Sequence, residues 1–197
     1  MDKVIETKEK EFFRPLPKEQ RKNILLLCDD IRMSSGVATM AKEIVTGTAH
    51  HFNWYNVGAA IKHPDQGKIF DMSQAVSREI GIEDADVKLQ PNSGYGDPQL
   101  IRRLLKDRKF DGIFIFTDPR YWIWLFELER EIRTKIPIFY LSIWDDLPAP
   151  MYNKDYYESC DVMMCISKQT ENIVKMVVGK DNPEINLVEF NSENSKN

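Results

Sequence analysis

The sequence predicts an α/β domain built on a doubly wound, mostly parallel, Rossmann-like sheet, and three observations carry that expectation. Apolar runs of strand length recur at 24–30, 112–117, 136–142 and 161–166, separated by segments of helical periodicity, the alternation that βαβ units require. The runs are continuously apolar rather than alternating, which suits strands covered on both faces. Helix-starting residues such as Asp118-Pro119 and Ser167 follow closely behind two of them, so these strands feed helices through short loops.

A chain of 197 residues can bury one sizeable core without disulfides or metals. With 27 basic and 31 acidic residues the net charge is −4, so composition gives no pointer to a nucleic-acid partner. No apolar run reaches the length of a membrane span, and the first 22 residues lack the apolar core of a secretion signal. A cytoplasmic protein with no transmembrane segment is therefore expected. The odd set Cys28, Cys160 and Cys165, in or beside expected strands, predicts reduced core thiols. Their spacing, and their distance from His50, His51 and His63, gives no zinc pattern, so no metal is expected.

Residues 1–22 are charged and proline-interrupted, with Phe12 and Phe13 as the only strong anchors. They read as a loose arm before a domain over 23–190 and a polar tail over 191–197. The first strand, 24–30, leads into a helix with Val37, Met40, Ala41, Ile44, Val45 and Thr48 on one stripe and Ser34 or Ser35 as its cap. A second strand is expected over 51–58, then strands at 68–72 and 86–89 on either side of a helix at 73–80. The residues from Pro91 read as a turn cluster. Asp97-Pro98 opens a helix whose apolar side holds Leu100, Ile101, Leu104 and Leu105, with basic residues in its last turn. Asp118-Pro119 opens another, expected to run over 120–135 and apolar nearly all round in its first half. Beyond the strand at 136–142 come an acidic loop, a short helix over 152–159 and a strand over 161–166. A helix capped by Ser167 then turns Ile173, Val174, Val177 and Val178 inward, and a last strand is expected over 185–190.

Right-handed crossovers would bring the loops 29–36, 117–121, 142–150 and 167–170 to the carboxyl edge, where open α/β sheets bind ligands. Ser34, Ser35 and Gly36 let a backbone approach phosphate at a helix start, although an ordinary capped turn reads the same way and the three-glycine fingerprint is absent. Asp145 and Asp146 suit a general base toward a hydroxyl, or a metal or sugar site; the alternative is a cap or a solvated loop. Trp144 beside them offers a face to sugar C–H groups or to the core. Asp29 and Asp30 fit a Mg²⁺-binding phosphoacceptor pocket of the receiver kind, but that reading needs a lysine where the strand ends in Ser142. Lys168 can meet phosphate or stand in solvent. His63 can be a base or an exposed loop residue.

Two stretches, ILLLCDDIRMSSGVATMAKEI and FYLSIWDDLPAPMYNKDYYESCDVMMCISKQTENI, resemble the amino-terminal half of a GT-B glycosyltransferase, family-4-like. The second is the more specific, because it joins strand, acidic loop, short aromatic helix, strand and Ser-Lys helix in order. The resemblance implies a Rossmann-like domain that binds a sugar or other hydroxyl acceptor, with a nucleotide-sugar as co-substrate and no other cofactor. It also implies a carboxyl-terminal GT-B domain or partner chain holding most nucleotide contacts. By the same resemblance the loop of Ser34, Ser35, Gly36 and Val37 approaches the donor diphosphate, and Asp145 or Asp146 is the catalytic base. Trp144, Asp118 and Lys168 would lie on the acceptor side. The rival expectations are a receiver-like signalling domain and a non-catalytic interaction domain of the same fold.

Overall fold

The computed structural model describes residues 14–60, 63–179 and 186–189. Their strands are β1 (Lys22–Asp29), β2 (Phe52–Ala60), β3 (Phe70–Asp71), β4 (Val87–Ser93), β5 (Gly112–Ile115), β6 (Ile138–Ser142), β7 (Val162–Cys165) and β8 (Asn186–Glu189). They form one sheet in the order β3-β4-β2-β1-β5-β6-β7-β8. Every pairing is parallel except that of the two-residue β3 on β4. Without β3, the order runs outward from β1 in both directions, as in dinucleotide-binding sheets, and the switch point falls between β1 and β5.

The described helices are α1 (Gly36–Thr48), α2 (Ser73–Ile80), α3 (Pro98–Asp107), α4 (Ile123–Phe126), α5 (Glu129–Arg133), α6 (Lys154–Glu158) and α7 (Lys168–Val178). Side chains alternate across β1, so Leu25 and Leu27 join one core while Ile24, Leu26 and Cys28 join the other. The first core is closed by α3 to α7, through residues such as Leu104, Leu125, Tyr157 and Val174. The second takes its helical side from α1 and α2, through Ala41, Val45 and Val76. Beyond those two helices, Phe114, Phe139, Leu141 and Met164 line an apolar groove of about 310 Å³ together with Ile44 and Phe52.

Several boundaries differ from the sequence expectation, each for a local reason. Residues 14–21, expected as part of a loose arm, are pinned. Leu16 N–H donates to His50 O, and the buried Arg21 donates to Leu16 O, Asp84 O and the Asp84 carboxylate. Strand β1 accordingly starts at Lys22. Phe12, Phe13 and the tail 191–197 lie outside the described residues. Strand β4 runs through Pro91, where a turn was expected. The Pro91 carbonyl accepts from Gly67 N–H on the side of β4 away from β2, so its missing N–H faces the open edge, where proline is tolerated.

The helix expected over 120–135 is broken into a 3₁₀ turn, Pro119–Trp122, followed by α4 and α5. Trp122 (φ −115°, ψ 22°) and Leu128 (φ −97°, ψ 7°) leave the helical range. That sequence is apolar on too many sides for one straight helix to bury, and the breaks put Trp122, Leu125 and Phe126 into one core. All three cysteines are buried thiols, and burial pushes Cys28 and Cys160 well above the usual thiol range. Among the described residues no helix is long and apolar enough to cross a membrane.

Candidate functional site

Because β1, β5, β6 and β7 are parallel neighbours, the loops that follow them leave one edge of the sheet. The loop after β1 and the loop after β6 are separated by β5, two inter-strand spacings or about 10 Å. Gly36 and Asp145 therefore belong to the same rim.

The loop after β6 is held in shape by its own backbone contacts. Trp144 Nε1 donates to Asp146 O (2.9 Å), Leu147 N–H donates to the Asp146 carboxylate (2.8 Å), and the Gln169 amide of α7 donates to Asp145 O. Asp146 is thus committed to its turn. Asp145 is exposed, and among the described residues its carboxylate has no hydrogen-bond partner. A cleft of about 350 Å³ opens here, lined by Thr117, Asp118, Tyr140, Trp144, Asp145, Asp146 and Tyr157.

Uncharged tyrosines sit in its floor. Tyr140 Oη donates to Thr117 O (2.6 Å), Asn153 Nδ2 donates to Tyr157 Oη (3.2 Å), and burial raises both phenol pKa values. On one wall, Asp118 accepts from Arg120 N–H (2.9 Å) and from the Arg120 guanidinium. Burial pushes Asp118 up, but the Arg120 contacts outweigh it and leave the carboxyl below its ordinary value, hence ionised. Lys168 is exposed at the start of α7 and pairs with Glu171.

In the loop after β1, Ser35 rather than Ser34 caps α1, accepting from Ala38 N–H (3.0 Å) while its hydroxyl donates to Asp29 (2.8 Å). Gly36 is exposed, and a Cβ there would touch nothing, so packing does not demand glycine. Val37 is half-buried beneath it. The Asp29 carboxylate puts negative charge at this helix start, which opposes an anion there.

Asp30 is fully buried and saturated. Its carboxylate accepts from Arg32 N–H (2.8 Å), Arg32 Nη2 (2.7 Å) and His63 Nε2 (3.0 Å). His63 Nδ1 accepts from Asp65 N–H (3.2 Å), which fixes the tautomer with the proton on Nε2. The His63 side chain is only 10% exposed, so of the two sequence readings the exposed loop residue is not what the structure shows; His63 is a strut between loops. Among the described residues no three or more His, Cys, Asp or Glu side chains gather as metal ligands.

Sequence reasoning missed the aromatic contact at the switch point. Tyr95, just after β4, stacks on Tyr121, after β5, with centroids 4.3 Å apart and planes 9° apart, and meets Trp122 edge-on at 5.4 Å. Burial, and then the nearby Asp29 charge, pushes Tyr95 up to about 12. The available signal was a tyrosine set between two glycines directly behind a strand. Gly94 and Gly96 both hold positive φ, which lets the chain turn Tyr95 over the crevice.

Fold and site together define a Rossmann-like α/β domain with an acidic, aromatic crevice at the carboxyl edge of its sheet. Comparison of the chain with protein-family models, curated proteins and solved structures finds no match.

Proposed function

We propose that this chain is the acceptor-side half of a GT-B glycosyltransferase, in which the cleft after β6 receives the hydroxyl that takes the sugar from a nucleotide-sugar donor. The observation that carries the reading is the pairing, in one 350 Å³ cleft, of the Asp145 carboxylate, which has no hydrogen-bond partner among the described residues, with the half-buried ring of Trp144. Carboxylates accept hydroxyl protons, and aromatic faces pack against the C–H face of a sugar.

Of the two candidate bases, Asp145 is favoured, because Asp146 already accepts from Leu147 N–H and shapes the loop. Asp145 orients the acceptor hydroxyl and takes its proton as the new bond forms. The backbone of Ser34 to Val37 can meet the leaving diphosphate, but Asp29 opposes an anion there. Most of the charge on the donor must therefore be met by a second domain or partner chain.

The test is sugar transfer to a hydroxyl acceptor, assayed with a panel of nucleotide-sugars in the full two-domain context, with the donor-binding domain or partner chain present. Asp145→Asn should lower the rate about 10²-fold or more. Asp146→Asn should cost much less. Equal turnover by wild type and Asp145→Asn would remove the base from the mechanism.

A further inference from the structure

Most lysines and arginines of the described residues face a carboxylate, as Arg21 does Asp84, Arg102 does Glu131 and Arg133 does Glu129 and Asp161. Around the end of α3 that pattern stops. Arg103, Arg108 and Lys109 are exposed and have no ion pair among the described residues, in a chain whose net charge is −4.

These cations border two clefts that meet. One, of about 540 Å³, is lined by Tyr55, Gln90, Arg103 and Arg108, with Asp107 the carboxylate among them. The other, of about 290 Å³, shares Tyr55 and Arg108 and adds Lys88, Lys109 and Asp86. Lys88 is already divided between Asp71 and Asp86. Tyr55 and Gln90 are both buried side chains of neighbouring strands, β2 and β4, and Tyr55 Oη donates to Gln90 Oε1 (2.7 Å).

Basic residues in a last turn commonly serve the helix dipole, but that does not account for these arginines. Arg103 stands in the middle of α3. Arg108 leaves the helix with extended backbone (φ −138°, ψ 148°), and its guanidinium lies over the Tyr55 ring, 4.5 Å from the centroid. Burial pushes the Tyr55 phenol up while the charges of Arg108 and then Arg103 pull it down, so both guanidiniums reach this one ring.

We propose that Arg103, Arg108 and Lys109 bind the phosphate or diphosphate group of a small molecule in these joined clefts, at a site separate from the cleft after β6. Guanidinium forks match phosphate oxygens bidentately, and an arginine laid on a ring loses little freedom when it donates. The dipole of α3 places about half a negative charge at its last turn and Asp107 a full one, which three full positive charges outweigh. The cleft volumes are those of a small-molecule site. A long polyanion would run on to Asp86 and Asp107, where like charges repel it. The site stands independently of the sugar-acceptor reading.

The experiment follows backbone amide shifts of the chain by NMR at constant ionic strength, with pyrophosphate, ADP and adenosine as probes. Pyrophosphate and ADP should each saturate, moving amides of 54–55, 88–90 and 103–109, and adenosine should not. Tighter binding of ADP than of pyrophosphate assigns the phosphate to an organic ester, and equal binding assigns it to the free ion. Arg103→Gln and Arg108→Gln should each weaken pyrophosphate binding about tenfold or more, since hydrogen bonds to charged groups are the strong ones. Arg78→Gln, which removes an exposed arginine from α2 on the other face of the sheet, should bind as wild type does.

A response that never saturates, equal losses in Arg78→Gln and Arg108→Gln, or adenosine binding as tightly as ADP would overturn the phosphate site. Tighter binding to duplex DNA or to phosphatidylserine vesicles than to ADP would overturn the small-molecule class. None of these results bears on the cleft after β6.

Discussion

Asp30→Asn removes one charge from the most enclosed polar cluster of the rim. In wild type the carboxylate accepts from Arg32 through its N–H, Nε and Nη2, and from His63 Nε2–H. Asparagine keeps the shape but offers one acceptor oxygen, and it turns an NH₂ group toward Arg32 Nη2 or His63 Nε2–H. The Asp30 side chain is 1% exposed and that of Arg32 29%, so the pair lies between a fully buried bridge and a surface one. The expected cost is about 2 kcal/mol, combining a lost charge-assisted bond with an unpaired guanidinium. For a chain of this length that corresponds to a drop in Tm of about 4–8 °C.

The pH dependence follows from the sign of the shift. Burial raises the Asp30 pKa, but the Arg32 hydrogen bonds and charge together outweigh it, so the folded value lies below the ordinary 3.8. The stabilisation is therefore present above that value and is lost as pH falls through the folded pKa. Thermal unfolding followed by circular dichroism at pH 7 should show the full difference between wild type and Asp30→Asn, and at about pH 3 a smaller one. Equal Tm at pH 7, or a gap that widens in acid, would refute the argument.

Gly58→Ala should destabilise by about 1–3 kcal/mol in urea unfolding, because overpacking is relieved only by moving backbone. Its Cβ would stand 2.8 Å from Asp30 Cα and 2.9 Å from Leu89 Cδ1. Gly36→Ala should be neutral or stabilise by up to about 1 kcal/mol, since nothing lies within reach of its Cβ. Tyr95 should ionise at about 12, above the ordinary 10.0, when tyrosinate absorbance is followed during alkaline titration. Its contribution to stability is fully present below pH 10 and is lost as pH rises through the folded value. In Tyr95→Phe the high-pH absorbance step should shrink by one tyrosine's worth, the part that remains coming from the other buried phenols, Tyr140 and Tyr157 among them.

Much of the fold was legible because its signals are local. The helix over 73–80 has the bounds expected, Asp97 caps α3, Ser167 caps α7, and Ile173, Val174, Val177 and Val178 are buried. The rim was legible too, since parallel strands linked by right-handed crossovers must send these loops to one edge. Contacts between residues far apart in sequence were not legible. Arg21 reaches Asp84, His63 reaches Asp30, and Tyr95 stacks on Tyr121, and neither periodicity nor turn chemistry records such pairs. The break in the 120–135 helix belongs with them, because burial of Trp122 and Phe126 decided the path over local propensity. Within the acidic pair, sequence could not rank Asp145 against Asp146. The distinction rests on one backbone hydrogen bond from Leu147.

The central claim is that the crevice at the carboxyl edge, beside Asp145, is where a sugar docks. Backbone amide shifts of the chain, followed by NMR during titration with a neutral oligosaccharide, test it most directly. Movement confined to 117–121, 142–150 and the indole of Trp144 is the predicted result. Movement instead around the 290 Å³ cleft at the opposite end of the sheet, lined by Asn23, Asn53, Lys88 and Arg108, would contradict it.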